Sequence, residues 1–130
     1  MVNTNLDYKS YPANENNYSV GRAGKKIEKV TIHHMAGVLT AKQCGSIFQD
    51  ENRKASSNYG IGKNGEIGLY VDEANTSYAD ANLESNRTSV TIECSNNETG
   101  GDWKVSDKVL NKLIELIIDI FKRYGITKAI

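Results

Sequence analysis

The stretch Val30-Thr31-Ile32-His33-His34-Met35-Ala36 decides how the chain is read. It opens on a run of β-branched residues, the composition of a strand, and it holds both histidines of the protein. Histidine is the commonest metal ligand and the natural proton carrier near neutral pH. Side chains alternate faces along a strand, so Val30, Ile32 and His34 share one face and Thr31 and His33 the other. The segment 88–94 repeats the pattern: Val90, Ile92 and Cys94 alternate with Ser89, Thr91 and Glu93. Each strand thus has an apolar and a polar face, and the polar faces carry His33 and Glu93. The plainer reading is a histidine pair satisfying backbone groups at a strand end, with Glu93 as a solvated edge acid.

Working outward, Thr40-Ala41-Lys42-Gln43 spells a capping box, in which the threonine hydroxyl and glutamine side chain cover orphan backbone donors. A helix is predicted over 41–53, with Cys44, Ile47 and Phe48 facing in. Strands are predicted over 57–62 and 66–71, joined through Lys63-Asn64-Gly65, since Asn-Gly is a strong hairpin signal. In the first of them Asn58, Gly60 and Gly62 share a face, and glycines there leave room for something to approach the backbone. Residues 72–87 read as a long polar loop, and 1–26 as an extended arm fixed by Tyr8, Tyr11 and Tyr18. Ser106 caps a helix over 107–124 that Gly125 ends as a left-handed cap. Leu110, Leu113, Ile114, Ile117, Phe121 and Tyr124 recur at helical spacing as its core stripe. Strands alternating with helices predict an α/β fold, a mixed central sheet flanked by helices, in one domain over 1–130.

Composition narrows the function. Sixteen basic and sixteen acidic residues give zero formal charge, unlike the basic footprint of a nucleic-acid binder. No apolar stretch suffices to span a membrane. Met1-Val2-Asn3-Thr4 lacks the charged and apolar regions of a secretory signal, so cytoplasmic synthesis is expected. Cys44 and Cys94 form no metal motif and read as separate buried thiols. If the two strands lie in one sheet, their imidazole and carboxylate are the raw material of a metal hydrolase. Zinc with three protein ligands lowers the pKa of bound water from about 15.7 to near 7. A carboxylate acting as general base contributes about 10²–10⁴-fold.

Three segments, Ile32-His33-His34-Met35-Ala36-Gly37, Ser57-Asn58-Tyr59-Gly60-Ile61-Gly62-Lys63-Asn64-Gly65 and Ser89-Val90-Thr91-Ile92-Glu93, resemble the N-acetylmuramoyl-L-alanine amidase type 2 family. That is the zinc amidase fold shared with peptidoglycan recognition proteins, and the resemblance is nearest to lysins of phages that infect Gram-positive bacteria. It implies a bacteriolytic enzyme that acts on the cell wall and cuts the amide between N-acetylmuramic acid and L-alanine of peptidoglycan. It implies His33 as a zinc ligand, Glu93 as the residue that activates water, and Asn58 and Tyr59 as substrate contacts or their support. Some members place a catalytic tyrosine where this chain has Ser57. A Trp-His-Ala stretch of several members reads Tyr78-Ala79-Asp80 here. The family's second zinc histidine and its third ligand, Cys or Asp, follow the long helix, whereas this chain stops at Ile130. The domain therefore reads as truncated, with an incomplete Zn2+ site. The alternative is a non-catalytic module that binds peptidoglycan.

Overall fold

Two six-residue segments with alternating apolar and polar side chains form one side of the sheet. β3, Lys29–His34, and β7, Ser89–Cys94, pair in parallel along their whole length. The computed structural model describes residues 2–130. β4, Tyr59–Ile61, runs parallel to β7 on its other side. β5, Ile67–Leu69, returns antiparallel to β4 through the Asn64-Gly65 turn, where Gly65 takes a φ of 80° that only glycine adopts without strain. β1, Lys9–Ser10, adds a parallel edge, giving the order β1-β5-β4-β7-β3. The outer edge of β3 is covered in turn: the amide of Val30 donates to Lys128 and that of Ile32 to Ile130. A separate ribbon joins β2, Tyr18–Ser19, to β6, Thr76–Ser77.

Helices cover both faces, as expected for this class. α1, Ala41–Phe48, carries both bonds of the capping box. It stops short of the expected 53 because Asn17 donates to the carbonyls of Phe48 and Asp50, at 2.7 and 2.8 Å. Cys44 and Phe48 are buried, but Ile47 is exposed. These two join Ala13, Tyr70 and Val71 in a small core, against which Tyr11 and Tyr18 of the arm pack. Tyr8 stays exposed. The 72–87 segment is more ordered than its polarity suggested. It holds β6 and begins α2, Leu83–Thr88, whose N-cap Asn82 accepts from Ser85.

α3, Asp107–Tyr124, has the expected caps: Ser106 accepts from the amide of Val109, and Gly125 is left-handed. It packs on Val30, Tyr59, Ile61, Val90 and Ile92 to form the main core. The buried stripe is Val109, Leu113, Leu116 and Ile120, whereas Leu110 and Ile114 are about half exposed, at 45% and 48%. The helix carries apolar residues over more than half its circumference, so spacing alone left the phase open, and the sheet selects the Leu116 side. Leu116→Ala is therefore expected to cost about 2–5 kcal/mol. Leu110→Ala is expected to stay within about 0.5 kcal/mol. Urea unfolding of the two variants checks this, and equal losses would contradict the phase.

Candidate active site

Strand alternation and register together build the site. In the β3–β7 ladder His33 is the register partner of Glu93, so the two side chains stand side by side on one face of the sheet. His34, one residue on, points to the opposite face. There its Nδ1 lies 3.2 Å from Asn96 Oδ1, and its ring packs 5.6 Å from that of Trp103.

His33 has a second neighbour that sequence reasoning missed. Its Nε2 lies 2.8 Å from Asp80 Oδ1. Asp80 also accepts from Thr31 Oγ1 at 3.1 Å and from Ser85 Oγ at 2.6 Å. Thr31 precedes His33 by two residues and so shares its face, while Ser85 lies on α2. Asn86 of the same helix accepts from the amide of Asp80 at 2.7 Å and donates to its carbonyl at 3.1 Å. The polar segment read as a loop is thus folded around the carboxylate that meets His33. Only the substitution of Asp80 for an apolar residue of the family pattern marked it in the sequence.

The electrostatics follow from these contacts. Asp80 is largely buried, which opposes its charge, but the hydrogen bonds from His33, Ser85 and Thr31 outweigh burial and hold it below the ordinary carboxylate range. The bond to Asp80 raises His33 above its ordinary value; burial opposes this, and the charge of Glu93 adds to it. Glu93 moves the other way from Asp80. Burial pushes its carboxyl up, and the neighbouring His33, His34 and Arg53 offset this only in part. The two carboxylates near His33 are thus shifted in opposite directions.

The remaining expected residues fall around this centre. Asn58 is fully buried. It donates to the carbonyls of Val71 and Asp72 and accepts from the amide of Thr91 at 3.0 Å. It ties β4 to β7 two residues below Glu93 and presents no surface to a substrate. Tyr59, also fully buried, faces α3, where its hydroxyl donates to Glu73 and accepts from the amide of Thr4. Direct substrate contact by either side chain is thereby corrected: alternation turns Tyr59 to the core, and backbone groups consume the Asn58 amide. Ser57 is buried as well and donates to the carbonyl of Tyr59. The space left by Gly60 and Gly62 is filled from within, by the Tyr70 ring at the first and by Glu66 and the start of α1 at the second. Cys44 and Cys94 are free buried thiols in the two different cores, and burial pushes each up to about 12.

A zinc ion with three protein donors does not fit these residues. Among the described residues no three His, Cys, Asp or Glu side chains are grouped to hold a metal. His34 is turned away, and both thiols are sunk in apolar cores where the metal-binding thiolate is disfavoured.

A family model described as N-acetylmuramoyl-L-alanine amidase, Amidase_2, matches residues 23–130. The chain belongs to this family. The amidase match takes in β3, β7, α1, α2 and α3, and so contains His33, Asp80 and Glu93 together. No curated protein matches the chain. Solved structures share the amidase fold at low identity. A mutant endolysin from Bacillus subtilis is 15% identical with a TM-score of 0.74, covering 95% of this chain and 82% of that one. The catalytic domain of XlyA is 17% identical with a TM-score of 0.72, covering 94% and 80%. The Drosophila peptidoglycan recognition protein PGRP-SA is 18% identical with a TM-score of 0.62, covering 89% and 69%. Among the described residues no helix is long and apolar enough to cross a membrane.

Proposed function

We propose that this chain hydrolyses the amide bond between the lactyl group of N-acetylmuramic acid and the L-alanine of the peptidoglycan stem peptide. The observation that carries the reading is the pairing of His33 with Glu93 in one strand register, inside a chain of the amidase family. Ionised Glu93 takes a proton from water as the water oxygen attacks the lactyl carbonyl. The proton passes to the departing nitrogen as the C–N bond breaks, leaving a carboxylic acid on the lactyl side and a free amine on alanine. His33, whose charged form is favoured by Asp80 and Glu93, stands beside the point where negative charge develops on the carbonyl oxygen.

The family's zinc would meet His33 first, but the described residues bring it no further pair of donors. Calorimetric titration of the chain with Zn2+ is expected to show no saturable one-to-one binding at micromolar metal. A tight stoichiometric site would contradict this account of the donors.

The substrate is the bacterial cell wall, as endolysin-like neighbours suggest. With zero formal charge the domain has little long-range attraction to anionic wall polymers, so recognition rests on contact within the site. A second reading, a module that holds muropeptide without cutting it, is favoured by the incomplete donor set. Suspended Gram-positive walls separate the two. A fall in turbidity on adding the chain supports hydrolysis. Unchanged turbidity with the chain retained on sedimented walls overturns hydrolysis and supports binding.

A further inference from the structure

We propose that Asp80 is a positioning residue for His33: it binds the Nε2–H, fixes the ring, and leaves Nδ1 as the nitrogen that works beside Glu93. The inference deepens the hydrolytic reading above and rests on it. An ionised carboxylate can only accept hydrogen bonds, so the 2.8 Å contact between His33 Nε2 and Asp80 Oδ1 requires the proton on Nε2. In the charged ring the second proton is then on Nδ1, free to meet the carbonyl oxygen. That nitrogen has no hydrogen-bond partner among the described residues. A histidine free to turn about its χ2 angle would offer either nitrogen in either direction; one bound at Nε2 offers a single arrangement.

The surroundings show that Asp80 is itself held. Its second oxygen accepts from Ser85 Oγ at 2.6 Å, and Thr31 Oγ1 supports the first at 3.1 Å. Asn86 grips both its amide and its carbonyl. The side chain is only 11% exposed, so water competes little for the bond. Three elements, β3, α2 and the segment before it, thus converge on one carboxylate whose free partner is the candidate catalytic imidazole. None of these contacts is needed to close the main core, which lies on the other face of the sheet.

Nitrogen-15 histidine labelling of the whole chain tests this directly, because only two histidines are present and His34→Gln assigns the signals. In the wild type the Nε2–H proton of His33 is expected as a downfield, slowly exchanging resonance. Asp80→Ala is expected to abolish it, and Asp80→Asn to retain it, since the amide oxygen still accepts. Wall cleavage is expected to fall by up to about 100-fold in Asp80→Ala, the size that follows when a catalytic group loses its positioning. Retention on walls should be unchanged, and Asp80→Asn should recover part of the rate. Should Asp80→Ala fold poorly, Ser85→Ala removes one support of the carboxylate without touching His33 and is expected to broaden the same resonance. A His33 Nε2–H signal that persists in Asp80→Ala, or that is missing from the wild type, overturns the proposal. A wild-type chain that cuts no wall overturns the hydrolytic reading alone, and the resonance still decides the role of Asp80.

Discussion

Glu93→Gln is expected to slow wall cleavage by at least about 10²-fold, the lower end of general-base effects, while leaving retention on walls intact. Glutamine keeps the size of the side chain and its place in β7 next to His33, but it cannot take a proton from water. Glu93 is partly exposed and lies outside both cores, so the change should leave stability nearly untouched. The wild type should also show a characteristic acid limb. Glu93 works only when ionised, so activity is lost as pH falls through its pKa. Because burial raises that pKa, the limb is expected above the ordinary carboxylate range, near 4.3. An activity that survives the substitution, or an acid limb unmoved from that range, would remove Glu93 from the base role.

Arg123→Met is expected to cost about 3–5 kcal/mol, the loss that follows when one partner of a buried ion pair is removed. The Glu73 side chain is fully buried and that of Arg123 only 13% exposed. The guanidinium meets both carboxylate oxygens, at 2.8 and 2.7 Å, and Tyr124 and Tyr59 donate to the same carboxylate. Without Arg123 the Glu73 carboxylate remains in the interior with the Tyr59 and Tyr124 hydroxyls as its hydrogen-bond donors. Domains of this size have about 5–15 kcal/mol in total, so the variant approaches the limit of folding. Urea unfolding of Arg123→Met against the double variant Glu73→Gln/Arg123→Met checks the cause. The double variant should regain a large part of the loss, because it removes the uncompensated charge. A single variant that loses less than about 1 kcal/mol would show the pair to be dispensable.

Local chemistry was legible in the sequence, and convergence over distance was not. The capping box at Thr40 and Gln43, the Asn64-Gly65 turn and the Ser106 and Gly125 caps each depend on residues a few positions apart, and each is found as read. The polar faces of β3 and β7 were legible because alternation is a property of the strand itself. Their parallel register, which brings His33 to Glu93, needed the fold. The contact of His33 with Asp80 spans 47 residues and that of Arg123 with Glu73 spans 50. Neither leaves a periodic trace. α2 escaped notice because six residues, Leu83–Thr88, are too few to show an amphipathic period. The α3 spacing points partly to the wrong arc for the opposite reason: an excess of apolar residues satisfies more than one phase. Spacing alone turns Ile47 inward, but in the last turn of α1 it lies exposed while Cys44 and Phe48 face the small core.

The bond that is cut tests the proposed function most directly. Purified Gram-positive peptidoglycan digested with the chain is to be analysed by mass spectrometry and by labelling of new amino groups. The expected result is release of stem peptides with a free L-alanine amine, leaving intact glycan with unsubstituted lactyl carboxylates. The same digest with Glu93→Gln should show almost none. Stem peptides still attached to every muramic acid, or new ends that arise instead within the glycan or between later residues of the peptide, would contradict it.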